Sequence, residues 1–196
     1  MGATAIEGVT YDEYLALEAE TGRKHEYDGG VVTMMTGGSF DHAVIITNLS
    51  GELRTALRGG PRHAIGSELK VWIGELDQAV YPDASVLCGP PVRAAHDRHA
   101  VVNPSLVAEV LSPGCRDRDT GSKLHAYRRL ETVQEVLLVD SEAVWVVHCT
   151  RESDCTWTLR DHKDLSGELT LRVGTDVRLK LAHLYENTEL VAVDEP

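Results

Sequence analysis

The sequence contains no long apolar run and no closely spaced pair of cysteines. No stretch approaches the roughly 18–20 apolar residues needed to cross a bilayer, and residues 1–30 are acidic and lack the apolar core of a signal peptide. We therefore expect a cytoplasmic protein. The absence of a C-x-x-C motif argues against a structural zinc site and favours reduced, mostly buried thiols. The four cysteines are Cys88, Cys115, Cys149 and Cys155.

Positive charge is also scarce. Nineteen Lys and Arg residues face 31 Asp and Glu residues, which gives a formal net charge of −12. This balance argues against nonspecific coating of nucleic acid, which requires a basic surface. The deficit is uneven, however, because five basic residues face two acidic ones between Cys115 and Arg129. A local basic groove is therefore compatible with the sequence.

The length and composition are those of one globular domain. The chain has 196 residues, of which 42% are hydrophobic and 26% charged, and this is enough to bury a substantial core. We found no repeat, low-complexity segment or linker. We therefore predict a single domain over residues 1–196.

Caps and apolar spacing predict the helices. Thr10 and Glu13 form a capping box, and Gly22 is a typical C-terminal residue. Ser39 caps a second apolar stripe that ends before Gly59. We predict helices from about Thr10 to Gly22, from Ser39 to Gly59, from Asp117 to Leu130 and, briefly, near Ala182 to Tyr185.

Short apolar or alternating segments predict strands between these helices. Residues 68–73 alternate strictly, as a half-buried strand does. Residues 24–35 predict either two short strands about an Asp-Gly-Gly turn or one bent strand. The order of the elements predicts a mixed α/β domain with a curved central mixed sheet flanked by helices. The other predicted strands are 81–87, 106–111, 135–139, 143–149, 155–160, 168–173 and 177–181.

Two acidic residues stand in strands that are otherwise apolar. Glu109 is central in Leu106–Leu111, and Asp83 opens the run Tyr81–Leu87. A buried carboxylate without compensation costs several kcal/mol, and a divalent cation compensates two carboxylates at once. If the two strands are neighbours, both acids can approach one hard cation such as Mg²⁺, with the carbonyl of Val110 as a further oxygen.

Lys123 follows on the next predicted helix, from which its flexible arm can reach back to such a metal. There an ammonium group would orient the attacking water or offset charge that develops in the transition state. Two acids, a metal and a lysine together indicate metal-assisted hydrolysis.

Each of these residues has an ordinary structural alternative. Asp83 is equally compatible with a solvent-exposed acid at the start of a strand. Glu109 is compatible with a buried salt bridge to Lys70 or Lys123. Lys123 fits a surface pair with Asp119 four residues earlier, and the spacing alone favours that pair.

The ordered set of motifs resembles the PD-(D/E)XK nuclease superfamily, and more closely its restriction-endonuclease branch, the Uma-two family. The resemblance covers about residues 10–185, and its strength lies in the order of the segments, since each is weak alone. The matching segments are His25–Val31 with its Glu-Tyr-x-x-Gly pattern, His42, Tyr81-Pro82-Asp83, Asn103–Pro113, Asp119 with Lys123 and Tyr127, and Glu135–Asp140.

The resemblance implies a restriction-endonuclease-like fold and an Mg²⁺-dependent endonuclease, with Mn²⁺ as a substitute, that cleaves nucleic acid, with DNA as the expected substrate. The superfamily's lysine normally lies two residues after the strand glutamate, where this chain has Leu111. The Uma-two branch carries it on the following helix, where Lys123 stands. The roles implied are metal ligands for Asp83 and Glu109, the catalytic lysine for Lys123, and accessory residues for Glu26, His42 and Tyr127.

Two other function classes fit the residues. One is a nuclease-like fold that binds nucleic acid or a protein partner without cutting, which the acidic balance and the displaced lysine favour. The other is a glycosidase with two carboxylates, which the low aromatic content of 5% disfavours. Because a cut in both strands of a duplex generally needs two active sites, we expect a homodimer. The alternation of Trp145, Val147 and Trp157 predicts either cover for the core or a two-fold interface.

Overall fold

The computed structural model describes residues 5–113 and 119–191. Within them the helices are α1 Tyr11–Thr21, α2 Phe40–Ala56, α3 Leu124–Arg129 and α4 Leu181–Leu184, with a 3-10 turn at Gly74–Leu76 and a π-helical turn at Asp119–Lys123 that leads into α3. The strands are β1 Ala5–Glu7, β2 His25–Asp28, β3 Val31–Met34, β4 His63–Gly66, β5 Lys70–Ile73, β6 Gln78–Val80, β7 Ala84–Leu87, β8 Ala100–Val101, β9 Leu106–Leu111, β10 Glu135–Asp140, β11 Val146–Arg151, β12 Trp157–His162, β13 Glu168–Arg172 and β14 Asp176–Lys180.

The strands form two six-stranded sheets and a hairpin. The central sheet has the order β12-β11-β10-β9-β7-β4, and the front sheet has the order β1-β3-β2-β6-β5-β8. Strands β13 and β14 pair with each other. Both large sheets are mixed, because β9 and β10 run parallel, as do β5 and β8, while the other pairs are antiparallel.

Strand alternation divides the core between the two faces of the central sheet. Ala108 and Val110 of β9 face α2, the β13–β14 hairpin and α4. Val107 and Leu111 face the front sheet and α3. Helix α1 covers the outer face of the front sheet, where its Tyr14 is fully buried. The front sheet is therefore packed on both sides.

The predicted class, a mixed α/β fold of mixed sheets flanked by helices, is confirmed. The predicted first helix is confirmed with its capping box and with Gly22 in the left-handed conformation. Residues 24–35 form two strands. The single sheet that we expected is two sheets, because four short strands that the pattern did not predict, β1, β4, β6 and β8, extend the pairing.

Other predictions need correction. The strand predicted at 68–73 is confirmed as β5, but its predicted half-burial is wrong. All four residues of β5 are buried, because this strand lies between the central sheet and α1. The start of the helix predicted from Asp117 lies outside the described residues, and helical structure runs from Asp119 to Arg129. Three described cysteines are free thiols, but only Cys149 is buried, whereas Cys88 and Cys155 are exposed. No helix in the described part of the chain is long and apolar enough to cross a membrane.

Candidate active site

Asp83 and Glu109 come from neighbouring parts of the central sheet, since Asp83 directly precedes β7 and Glu109 lies in β9, the strand that pairs with β7. Strands β7 and β9 are antiparallel neighbours with Ala84 opposite Ala108, and one further step of this register places Asp83 opposite Glu109. Ala84 and Ala108 face α2. Because successive side chains alternate along β9, Glu109 points to the other face, toward the front sheet, where it meets Lys123 and Tyr127.

The Asp83 carboxylate is fixed against β9. Its Oδ2 accepts a hydrogen bond of 2.7 Å from the backbone N–H of Val110. The same oxygen lies 4.0 Å from Nε2 of His42. Asp83 is buried, so the predicted alternative of a solvent-exposed acid at the strand entry is wrong.

His42 enters the site from the first turn of α2. Ser39 caps this helix by accepting a hydrogen bond of 3.2 Å from the N–H of His42. The imidazole packs directly on Gly38, where an added Cβ would overlap Nδ1 and lie 2.9 Å from the His42 Cβ. Gly38 is not among the residues predicted from the sequence, although a Gly-Gly pair directly before a helix cap is the signal that marks it.

Lys123 lies between two carboxylates and is buried. Its Nζ is 2.8 Å from Oε1 of Glu109 and 2.9 Å from Oε1 of Glu26. The predicted alternative placed Lys123 on the surface, and this is wrong because Lys123 is only 6% exposed. Its predicted pairing with Asp119 is not tested, since the side chain of Asp119 lies outside the described residues. Lys123 is the last residue of the π-helical turn, and its amine lies between the two sheets, where it contacts one residue of each.

Glu109 receives a second donor from α3. The Tyr127 hydroxyl donates a short hydrogen bond to Glu109 Oε1, the same oxygen that Lys123 contacts. Burial, and then the negative charge of Glu109, raise the pKa of Tyr127 well above its ordinary value. Tyr127 is thus a neutral donor across the physiological range, and it fixes the orientation of the Glu109 carboxylate.

Glu26 comes from the front sheet. Its neighbour Tyr27 faces α1, so alternation along β2 turns Glu26 toward the central sheet and Lys123. A cavity of about 90 Å³, lined by Glu26 and Lys123 together with Thr33 and Gln78, opens beside the amine. This volume has room for water next to the two charged groups.

The predicted buried salt bridge of Glu109 is present in the structure. Its cation is Lys123, whereas Lys70 lies on the other face of the front sheet with Glu18 and Asp97. A buried ion pair of this kind is compatible with a structural role and with a catalytic one.

The donor set suits a hard divalent cation. Asp83, directly before β7, and Glu109, in the paired strand β9, offer carboxylate oxygens. Mg²⁺ usually takes only one or two protein carboxylates, with water or phosphate completing its shell. Among residues 5–113 and 119–191, no group of three or more His, Cys, Asp and Glu side chains is arranged to hold a metal. A metal here would therefore depend on these two acids.

Comparison with known proteins supports the resemblance. Two proteins of Synechocystis sp. (strain ATCC 27184 / PCC 6803 / Kazusa) are similar to this chain. "Uncharacterized protein sll1609" is 32% identical over 153 residues, which is 78% of this chain and 86% of that protein. "Uncharacterized protein slr1290" is 34% identical over 152 residues, which is 78% of this chain and 79% of that protein.

A solved structure shares the fold. It is described as "a putative nuclease belonging to DUF820" from Anabaena variabilis ATCC 29413, with a TM-score of 0.72 at 19% identity over 90% of this chain and 97% of that one. At this identity the likeness concerns the fold alone. The model of the family Uma2, described as "Putative restriction endonuclease", matches residues 11–182. The chain belongs to the Uma2 family of restriction-endonuclease-like proteins.

Proposed function

We propose that this protein is a metal-dependent endonuclease that hydrolyses phosphodiester bonds of DNA, with Mg²⁺ as the cofactor and Mn²⁺ as a substitute. One observation carries the proposal: the Asp83 carboxylate is bonded to the backbone of β9 at Val110, the residue after Glu109, and Lys123 lies against Glu109. Family membership supports the hydrolysis of nucleic acid.

In this proposal Asp83 and Glu109 hold the cation. When bound, Mg²⁺ would polarise the scissile phosphate and lower the pKa of the attacking water. The protein's own groups prepare the site for it. The Val110 N–H holds the Asp83 carboxylate, and the Tyr127 hydroxyl holds that of Glu109.

Lys123 supplies the positive charge. Glu26 contacts its ammonium on the side of the front sheet, so the amine stays in place when Glu109 turns to a cation. From this position Lys123 would stabilise the negative charge that develops on the phosphate in the transition state. His42, which lies 4.0 Å from Asp83, would help to position that carboxylate.

A second function has a specific observation in its favour. The Lys123 ammonium already neutralises the Glu109 carboxylate at 2.8 Å, which is what a bound cation would otherwise do. A nuclease fold stabilised in this way could bind nucleic acid or a protein partner without cutting it.

Assembly is a separate proposal. We infer a homodimer of single-domain chains, since two cuts in a duplex generally need two active sites. The strand residues considered for a two-fold interface serve another purpose, because Val147 is buried and Trp145 and Trp157 pack on the core between the two sheets. Sedimentation at micromolar concentration that shows only monomer would remove the dimer proposal.

Cleavage assays test the proposed activity. Plasmid and single-stranded DNA would be incubated with Mg²⁺, Mn²⁺ or a chelator and with either wild type or Asp83→Ala. We expect metal-dependent cleavage by wild type only. Asp161→Ala, a change of an exposed aspartate on β12, is the matched control and should cleave like wild type. Wild type that binds DNA but never cleaves it would favour the binding function.

A further inference from the structure

A basic cleft lies at the opposite end of α2 from the candidate active site. Its volume is about 500 Å³, which is typical of small-molecule sites. Arg54 in the last turn of α2, Arg58 just after the helix and Arg62 before β4 line it. From His42 to Arg54 the helix rises by roughly 18 Å at about 1.5 Å per residue. The cleft is therefore distinct from the site at Asp83.

The arginines of this cleft are not explained by ion pairs. In the described part of the chain none of the three forms a salt bridge with a carboxylate, in contrast to Arg129, which pairs with Glu75. The carbonyl dipoles at the end of α2 favour a cation such as Arg54. They do not account for three guanidinium groups around one cleft in a chain with a net charge of −12.

Arg62 is held in place by Gly174, a residue outside the lining of the cleft. Its Nη2 donates a short hydrogen bond to the carbonyl oxygen of Gly174. A Cβ added at Gly174 would lie 3.1 Å from both Nε and Nη2 of Arg62, so glycine gives the guanidinium its room. The buried Nε–H finds no acceptor among the described residues. A bound ligand or water would satisfy this donor.

Apolar side chains make up much of the remaining lining, which also includes His63. Leu57, Ile65, Leu87 and Pro91 line the same cleft. Arginines recognise phosphate through charge-assisted hydrogen bonds, while apolar side chains favour a flat, weakly hydrated group such as a nucleobase. The two properties together fit a ligand that carries both groups.

We propose that this cleft binds a nucleoside phosphate, with the phosphate on Arg54, Arg58 and Arg62 and the base against the apolar lining. The ligand can be a free nucleotide or one nucleotide of a longer strand. Binding of a nucleotide within a nucleic-acid strand rests on the proposed nuclease function, because the cleft would then be a second binding site for the same substrate. Binding of a free nucleotide is independent of the proposed nuclease function.

Binding measurements in a chelator test the proposal without hydrolysis. The probes are AMP and a single-stranded DNA oligonucleotide, titrated into wild type and into an Arg54→Ala, Arg58→Ala double variant. We expect the double variant to bind at least about tenfold more weakly, with a shallower salt dependence. An Arg160→Ala, Arg178→Ala double variant, which changes two exposed arginines on β12 and β14, is the matched control and should keep wild-type affinity.

The arms of the experiment separate the two sources and the two proposals. Binding of AMP identifies a free nucleotide, and binding of the oligonucleotide alone identifies a strand. The proposal fails if neither probe binds at millimolar concentration, if the control loses as much affinity, or if inorganic phosphate displaces the probe as well as AMP does. Binding through Arg54 and Arg58 in a protein that cleaves no DNA would retain the cleft and remove the nuclease. Cleavage of DNA by wild type, with unchanged binding of the probes in the double variant, would retain the nuclease and remove the cleft.

Discussion

Two buried lysines lie on opposite faces of the front sheet, and each sits between two carboxylates and near tyrosines. Lys123 contacts Glu26 and Glu109 at 2.9 and 2.8 Å. Lys70 contacts Glu18 and Asp97 at 2.7 and 3.0 Å. The two clusters are nearly the same in charge and distance, so those properties alone do not identify an active site.

The Lys70 cluster ties elements of the fold together. Glu18 of α1 also accepts hydrogen bonds from the Tyr81 hydroxyl at 3.0 Å and from the His25 N–H at 2.8 Å. The Glu18 carboxylate is thus held by a backbone N–H and a tyrosine hydroxyl as well as by Lys70. This arrangement joins α1 to the front sheet.

Asp97 is held in the same way. Its carboxylate accepts from the Tyr11 hydroxyl at 2.9 Å and from the His99 N–H at 2.8 Å. Burial alone would raise the pKa of Asp97, but the His99 N–H and Lys70 outweigh it and hold that pKa below its ordinary value. A carboxylate stabilised in its charged form by the fold itself has a structural role.

The Lys123 cluster differs in its neighbours. A third carboxylate, Asp83, accepts a hydrogen bond from the N–H of Val110, the residue after Glu109, and a cavity opens next to the amine. Lys123 also comes from a π-helical turn, a geometry often found at functional sites, whereas Lys70 lies within a strand. From this comparison we propose a structural role for Lys70 and a catalytic role for Lys123.

The largest expected effect is on stability at Lys70. Lys70→Met leaves two buried carboxylates without their cation, so we expect the free energy of unfolding to fall by about 3–5 kcal/mol. Urea denaturation measures this. The matched control is Lys24→Met. It breaks an ion pair with Glu68 at the surface, whose N–O distance of 2.9 Å is similar to those of Lys70, and it should cost about 1 kcal/mol or less. Equal losses in the two variants would show that the buried cluster has no special structural role.

The next effect is on catalysis at Lys123. Its charge meets a phosphate that becomes more negative in the transition state, so Lys123→Ala should bind Mg²⁺ and DNA nearly as well as wild type but cleave more slowly by roughly 10²-fold or more. Lys123→Arg should recover little, because a planar fork does not replace a point charge on a flexible stem. Single-turnover cleavage at saturating metal is the measurement, with Lys24→Ala as control. If Lys123→Ala cleaves as fast as wild type, the lysine assignment is wrong.

The effect of metal on thermal stability distinguishes the Lys123 cluster from the Lys70 cluster without a cleavage assay. A cation that binds the folded state stabilises it by about 2.7 kcal/mol at a concentration of 100 Kd, so Mg²⁺ or Mn²⁺ should raise the Tm of wild type. The Asp83→Ala, Glu109→Ala double variant should lose this rise, whereas Asp97→Asn in the Lys70 cluster should keep it. A rise that survives in the double variant would place the ion elsewhere.

The sequence predicted the parts of this comparison that are local. The cap of α1 depends on Thr10 and Glu13, which are three residues apart, and the apolar neighbours of Glu109 already indicate its burial. The partner of Lys123 was not predictable in the same way. Spacing along the helix favoured Asp119, whereas the contact with Glu26 depends on how one sheet packs on the other.

The Lys70 cluster went unpredicted for the same physical reason. Its members come from α1, β5 and the loop before β8, and no periodicity along the chain links them. The strands β1, β4, β6 and β8 have only two to four residues each. Their pairing with neighbours in the sheet stabilises them, and so short a segment carries little pattern of its own.

The smallest expected effect concerns the support of His42. An alanine Cβ at residue 38 would overlap the imidazole and push it from Asp83, whereas a Cβ at Gly37 meets nothing within 4 Å. Gly38→Ala should therefore reduce the cleavage rate by roughly tenfold, as a small misplacement near a reacting group does, and Gly37→Ala should leave it unchanged. Both are glycine-to-alanine changes in one loop, so they share the effect on the unfolded chain.

A double-variant cycle shows whether Gly38 acts through His42. If it does, Gly38→Ala combined with His42→Ala should cleave no more slowly than His42→Ala alone, because the second change finds no imidazole left to displace. Single-turnover rates of the four proteins give the coupling, and urea denaturation of each separates a loss of rate from a loss of folding. Additive effects of the two changes would mean that Gly38 serves the loop and that His42 does not depend on it. An undiminished rate in His42→Ala itself would remove His42 from the site and leave Asp83, Glu109 and Lys123 as its members.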